Sequence, residues 1–366
     1  MNNKLLRDVF IAIVMTLVLL GFGELIFRAF YPEYRGYLFS DNLTYSKYQY
    51  IDSVLGGKMR VRTPSSVEPK RGEHIILVFG DSVSRGYGLA YEDIYWTYWQ
   101  RMLDLKGSHV KVVALSAYGN NYKNNTGGML DPPQKYREKG IYVDGVIYQF
   151  NFNDLYPYTA EDIKAQKNFE QKTGWISNII LKLVDIRLRY LNHSVMQRVL
   201  TNKMTQLFYN NTNKPCEDLG SDALADYTYT FIGKGSEQVA LNIWQDFEDS
   251  LVATKRELGD IPFVVLVSPL MEFVDPNMAV HSLSRQKRFD CVTIDPVQKL
   301  RAICEKYGIY FVNPTDYIKG YFDHYRAGQN PQRFYFINDD NHMNDIGSKY
   351  FAEYSYMKNF EEEIIE

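Results

Sequence analysis

Residues Ile75-Ile76-Leu77-Val78-Phe79 form an unbroken apolar run that stops abruptly at Gly80-Asp81-Ser82. A strand of this composition has no polar face to offer water, which fits a parallel strand covered by helices on both sides. The glycine, aspartate and serine then predict a tight turn at its carboxyl end. Open α/β sheets hold their reactive groups at such ends. Ser82 is therefore a candidate nucleophile, and a helix N-cap is the plainer use of a serine in that position.

The rest of the chain repeats this rhythm. Short runs rich in β-branched residues at 110–115, 143–150, 262–267 and 309–312 read as further strands. Amphipathic segments at 93–105, 236–258, 296–307 and 344–360 read as helices. The alternation predicts an α/β domain built on a three-layer, flavodoxin-like parallel sheet. A chain of 366 residues with 45% hydrophobic content is long enough to bury such a core. Residues 155–235 break the rhythm as a helical insertion, in which 176–204 carries Lys182, Arg187, Arg189 and Arg198. A cap on the sheet edge, a lid and an interfacial helix are all compatible with that pattern.

The N-terminus predicts a transmembrane helix. Lys4 and Arg7 precede residues 9–23, which carry no charge, and the apolar character continues to residue 30 past Glu24 and Arg28. About 20 helical residues span a bilayer's hydrocarbon layer, so 9–30 is long enough. The two basic residues favour a cytoplasmic N-terminus (1–8) and an extracytoplasmic remainder. A cleaved signal peptide and a packed soluble helix are the rival readings. Residues 31–71 read as spacer and lead-in, and 72–366 as the main domain. The net charge of −3, with no basic stripe, excludes an ordinary nucleic-acid binder. Cys216, Cys291 and Cys304 make no CxxC pair, so no metal site is read, and a disulfide stays open.

Acyl transfer through a serine requires a base, a group that orients the base, and donors for the oxyanion. Asp339-Asp340-Asn341-His342 offers a histidine with carboxylates beside it, just ahead of the last amphipathic helix. Gly119 follows the second strand, and Asn151-Phe152-Asn153-Asp154 follows the third. In this order at successive strand ends, Ser82, Gly119, Asn153 and His342 resemble the SGNH, or GDSL-like, hydrolase superfamily. Asn344 and Gly347, after the Asp-x-x-His spacing of Asp339 and His342, add to the likeness. The resemblance covers about 71–365 apart from the insertion.

The resemblance implies a triad of Ser82, His342 and Asp339, with Asp340 the alternative carboxylate. It implies an oxyanion hole from the Ser82 amide, the Gly119 amide and the Asn153 side chain, with no cofactor and no metal. One position departs from it, since Asn151 stands where the superfamily's third block has glycine. The serine elbow Gly-x-Ser-x-Gly is absent because Ser84 occupies its last position. The expected function is a membrane-anchored serine esterase acting on O-acetyl or other short acyl esters of a small molecule or polysaccharide. An O-acyltransferase served by a membrane acyl-donor protein is the alternative. A non-catalytic glycan-binding or assembly protein is the third reading.

Overall fold

A computed structural model describes residues 3–30, 50–51, 60–61, 69–86, 89, 91–116, 122–155, 196, 237–269, 274, 295–327 and 342–361. The chain divides into two units, Met1–Phe39 with Thr159–Asn210, and Ser40–Tyr158 with Asn211–Glu366.

In the larger unit, five strands form one parallel sheet: β3 (His74–Gly80), β4 (Val110–Ser116), β5 (Tyr142–Phe150), β6 (Phe263–Val267) and β7 (Tyr310–Val312). Their order is β4-β3-β5-β6-β7, and every neighbouring pair is parallel. The chain therefore runs outward from β3 to β4, then returns to build the sheet from β3's other side. That reversal opens a crevice at the carboxyl ends of β3 and its neighbours. All five strands fall where the apolar runs place them. The sheet is preceded by a two-residue antiparallel ladder, β1 (Tyr50–Ile51) with β2 (Arg60–Val61), which the sequence did not announce.

Alternation along β3 explains why its sequence is apolar throughout. Ile75, Leu77 and Phe79 enter one core, and Ile76 and Val78 enter the other. The first core is closed by α3 (Tyr122–Glu138), α4 (Glu237–Leu258) and α5 (Pro296–Lys306), through Tyr136, Phe247, Leu251 and Leu300. The second is closed by α2 (Tyr95–Leu105), α6 (Thr315–Ala327) and α7 (Asp345–Tyr356), through Trp96, Trp99, Ile318 and Phe351. These are the three layers expected.

Two helices escaped the sequence reading. Helix α3 carries Pro132 and Pro133 in its interior, besides Gly127 and Gly128, all unfavourable to an isolated helix. Burial of Tyr122, Met129 and Tyr136 against the sheet outweighs that propensity. Helix α6 did carry a start signal, because the Asn313 side chain accepts from both the Thr315 amide (3.1 Å) and hydroxyl (2.6 Å). Of the cysteines, Cys304 is a buried free thiol, pushed up to about 12 by burial. Cys216 and Cys291 lie outside the described residues.

In the smaller unit, α1 runs unbroken over Asn3–Phe30. Its side chains are described only in part, and continuously only over residues 18–27. Among the described residues, no helix is long and apolar enough to cross a membrane. Val18, Leu19, Phe22 and Leu25 are each more than half exposed. Glu24 is paired, its Oε2 accepting the Met196 amide at 3.1 Å. Met196 is the described part of the insertion beyond Leu155; the spacer, apart from β1, β2 and residues 69–71, also lies outside the described residues.

Candidate active site

Helix α7 brings the histidine to the serine. Asn344 caps α7, its Oδ1 accepting the Gly347 amide at 3.0 Å, which gives the Asn-x-x-Gly pair a purely local cause. Met343 is buried in the second core and anchors the segment just ahead of that cap. His342 precedes it, and its Nε2 lies 2.7 Å from Ser82 Oγ. These two groups, 260 residues apart in sequence, form the shortest polar contact that Ser82 makes.

The turn carrying Ser82 is fixed by Asp81, which does the capping that the plainer reading gave to the serine. Asp81 Oδ1 accepts the Val83 amide (2.9 Å), and its carbonyl accepts the Arg85 amide (3.1 Å). Gly86 closes the turn with its amide on Val83 O (2.9 Å) at φ +70°, a conformation favouring glycine. Gly80 plays a different part from the turn residue its motif suggests. It is the last residue of β3, and a Cβ there would collide with the Ser84 hydroxyl and lie 2.7 Å from Gln149 Oε1. Ser84 is fully buried, donates to Gln149 Oε1 (2.8 Å) and receives the Tyr95 hydroxyl (2.6 Å). Burial pushes the Tyr95 phenol up, which keeps it a donor. Trp96 Nε1 holds the Ser84 carbonyl at 2.7 Å.

On the other side of β3, the turn after β5 is built around a second buried acid. Asp154 Oδ2 accepts the Asn151 amide (3.1 Å) and the Tyr148 hydroxyl (2.8 Å), while the Asp154 amide returns to Asn151 O (2.8 Å). Asn153 lies in this single 3-10 turn, Phe152–Leu155. Asn151 links the two turns, its Nδ2 donating to Asp81 Oδ2 at 3.3 Å. Asp81, Asn151 and Asp154 are all fully buried.

Burial, and then the charge of Asp81, push the Asp154 carboxyl well above the usual carboxylate range. Its folded pKa thus exceeds its unfolded one. The stability it contributes is complete below the unfolded value, about 3.9, and is lost as pH rises toward the folded value. Asp154→Asn, neutral at every pH, is expected to escape that loss. The Tm of the variant minus that of the parent should grow from about pH 4 to about pH 7. A difference independent of pH would show Asp154 to be ionised like an ordinary carboxylate.

Asp339, Asp340 and Gly119 lie outside the described residues, as does the side chain of Asn153. Of the expected site, the structure therefore brings together Ser82 and His342, and sets the Asn153 backbone at the end of β5. Sequence reasoning did not find the Asp81–Asn151–Asp154 chain. Its one visible signal was the asparagine at 151 where the resemblance has glycine. A cleft of about 540 Å³ between α2 and α7, lined by Asp93, Arg101, Asp345 and Tyr350 among others, includes neither Ser82 nor His342. The short Ser82–His342 contact outweighs that cleft as a guide to chemistry.

Neither a family model nor a curated protein matches the sequence. Solved structures with a similar chain path include an acetyl xylan esterase, AlAXEase, at 13% identity over 78% of this chain and 98% of that one, TM-score 0.39. Another is a lipase/acylhydrolase from Enterococcus faecalis, at 11% identity over 78% of this chain and 95% of that one, TM-score 0.39. A third is a member of the lipolytic G-D-S-L family from Veillonella parvula, at 10% identity over 79% and 98%, TM-score 0.35. At scores this low, nothing about reaction or substrate passes from those proteins to this chain.

Proposed function

We propose that this chain is a membrane-anchored serine esterase of the SGNH type, removing O-acetyl or other short acyl groups from carbohydrate. The reading rests on the 2.7 Å approach of His342 Nε2 to Ser82 Oγ at the carboxyl end of β3, beside the sheet's reversal. His342 takes the Ser82 proton as Oγ attacks the ester carbonyl, with Asp339 orienting the imidazole through Nδ1. The Ser82 amide, the Gly119 amide and the Asn153 side chain receive the oxyanion. His342 then passes the proton to the departing alcohol, leaving acyl-Ser82. Water, deprotonated by the same histidine, releases the acid and restores the serine.

The test is acetyl release from an activated acetyl ester, with and without an oligosaccharide acceptor. Acetate released to water at a rate the sugar does not change is the expected result. Transfer of the acetyl group to the sugar, with little free acetate, would replace hydrolysis by acyl transfer.

The anchor rests on the sequence, in which residues 9–23 carry no charge and the apolar character continues to residue 30. The Met196 amide on Glu24 lowers the cost of a carboxylate within its apolar run. Lys4 and Arg7 favour an extracytoplasmic catalytic domain. Protease added to intact spheroplasts is expected to remove a C-terminal tag, and protection of the tag would reverse the orientation.

A further inference from the structure

We infer that Asn151 is a positioning residue that directs the Ser82 proton toward His342, by donating to the carboxylate oxygen that competes for it. The inference rests on the esterase reading and concerns the same site. A serine hydroxyl has one proton and here faces two acceptors, His342 Nε2 at 2.7 Å and Asp81 Oδ2 at 3.4 Å. Hydrogen bonds between oxygens weaken well before 3.4 Å, so the 2.7 Å contact is the one that takes the Ser82 hydroxyl's hydrogen bond, the direction general-base catalysis requires. Asp81 is nevertheless a fully buried carboxylate, and at low dielectric its pull on a neighbouring hydroxyl is strong. Each donor given to Oδ2 reduces that pull. Asn151 Nδ2 is such a donor, arriving from the far side of the crevice at 3.3 Å.

Two further observations mark this amide as placed for Asp81. The Asn151 backbone is clamped at both ends by Asp154, so its side chain starts from a fixed point. Its own Oδ1 is buried without a hydrogen-bond partner among the described residues. An unpaired buried oxygen is costly, and the glycine of the resemblance would carry none. The cost is borne for the Nδ2 contact. The charge of Asp81 acts on Asp154 in the turn after β5 and on Tyr95 from α2, the Arg85 amide donates to the Asp81 carbonyl, Tyr148 reaches Asp154, and His342 reaches the neighbouring Ser82. Asn151, directly after β5, brings a side-chain donor to Asp81 from that side.

The experiment uses the full chain in detergent micelles, with Asn151→Gly, Asn151→Asp and Ser82→Ala. It follows turnover of p-nitrophenyl acetate and the rate of labelling by a fluorophosphonate, both as functions of pH. Asn151→Gly is expected to lower kcat about tenfold with KM nearly unchanged. It should also move the ascending limb of the pH profile upward, because a less satisfied Asp81 favours the imidazolium of His342. Asn151→Asp should keep activity at acid pH, where its neutral carboxyl still donates to Asp81, and lose it as that carboxyl ionises. Wild-type kcat and an unmoved limb in Asn151→Gly would overturn the inference, and so would equal losses in both variants at every pH. Should the glycine variant fail to fold, the pH signature of Asn151→Asp decides alone. Full turnover and labelling in Ser82→Ala would instead refute the esterase reading.

Discussion

Ser82→Ala is expected to abolish turnover of activated acetyl esters, by about 10⁴-fold or more, while the protein stays folded. The two halves of that expectation come from the same contacts. Ser82 Oγ has one short partner, His342 Nε2, and one distant one, Asp81 Oδ2. Removing a hydroxyl from such a place costs about 1 kcal/mol of stability, since Asp81 keeps the Val83 amide and the Asn151 side chain. The chemistry has no such reserve, because the group deleted is the one that forms the acyl bond. His342→Ala should fall to a similar level, and the double variant should be no worse than either single one, as expected of residues acting as a unit. Losses that multiply in the double variant would mean that the serine and histidine work separately. Undiminished turnover in a folded Ser82→Ala protein would remove Ser82 from the reaction.

Gly80→Ala should produce the largest loss of stability from one added methyl group. The new Cβ would overlap the Ser84 hydroxyl and crowd Gln149 Oε1 at 2.7 Å. Neither neighbour can withdraw cheaply. Ser84 is tied to Tyr95 and Gln149 through its side chain and to Trp96 through its carbonyl, and all of these residues are buried. Overpacking and the broken buried hydrogen bonds together should cost about 2–4 kcal/mol, a drop of several degrees or more in Tm. Gly127→Ala in α3 is the internal control. A Cβ there meets nothing within 4 Å, and the helix gains an alanine, so stability should rise by about 0.5–1 kcal/mol. If Gly80→Ala melts with the parent protein, the packing behind the catalytic turn is looser than these contacts require.

What could be read in the sequence followed from how completely each element is buried. Strands covered on both faces, such as His74–Gly80 and Phe263–Val267, leave an apolar run that needs no partner to be seen. The order of Ser82, Asn153 and His342 along the chain was visible for the same reason, since each follows or precedes a strongly patterned element. Helix α3 was hidden because its prolines and glycines obey local rules that the burial of Tyr122, Met129 and Tyr136 overrules. The Asp81–Asn151 contact was hidden because it joins residues 70 apart through one side chain, which no periodicity can signal. Only a departure from a family pattern marked the place. Asp339 and Gly119 remain expectations of the sequence.

The same topology that separates Ser82 from His342 also orders events during the protein's synthesis. Helix α7 docks on α2 through Trp99 Nε1 on the Ala352 carbonyl at 3.1 Å, and on the turn ahead of α2 through the Ser348 hydroxyl on the Asp93 carbonyl at 2.6 Å, both links spanning more than 250 residues. Contacts of such sequence separation form late, after most of the sheet is available to receive them. A nascent chain carrying β3 but not yet α7 thus holds a serine without its base. The pairing of Ser82 with His342 depends on α7 being docked, and a chain clipped ahead of Asp345 is expected to lose the footing that presents His342 to Ser82.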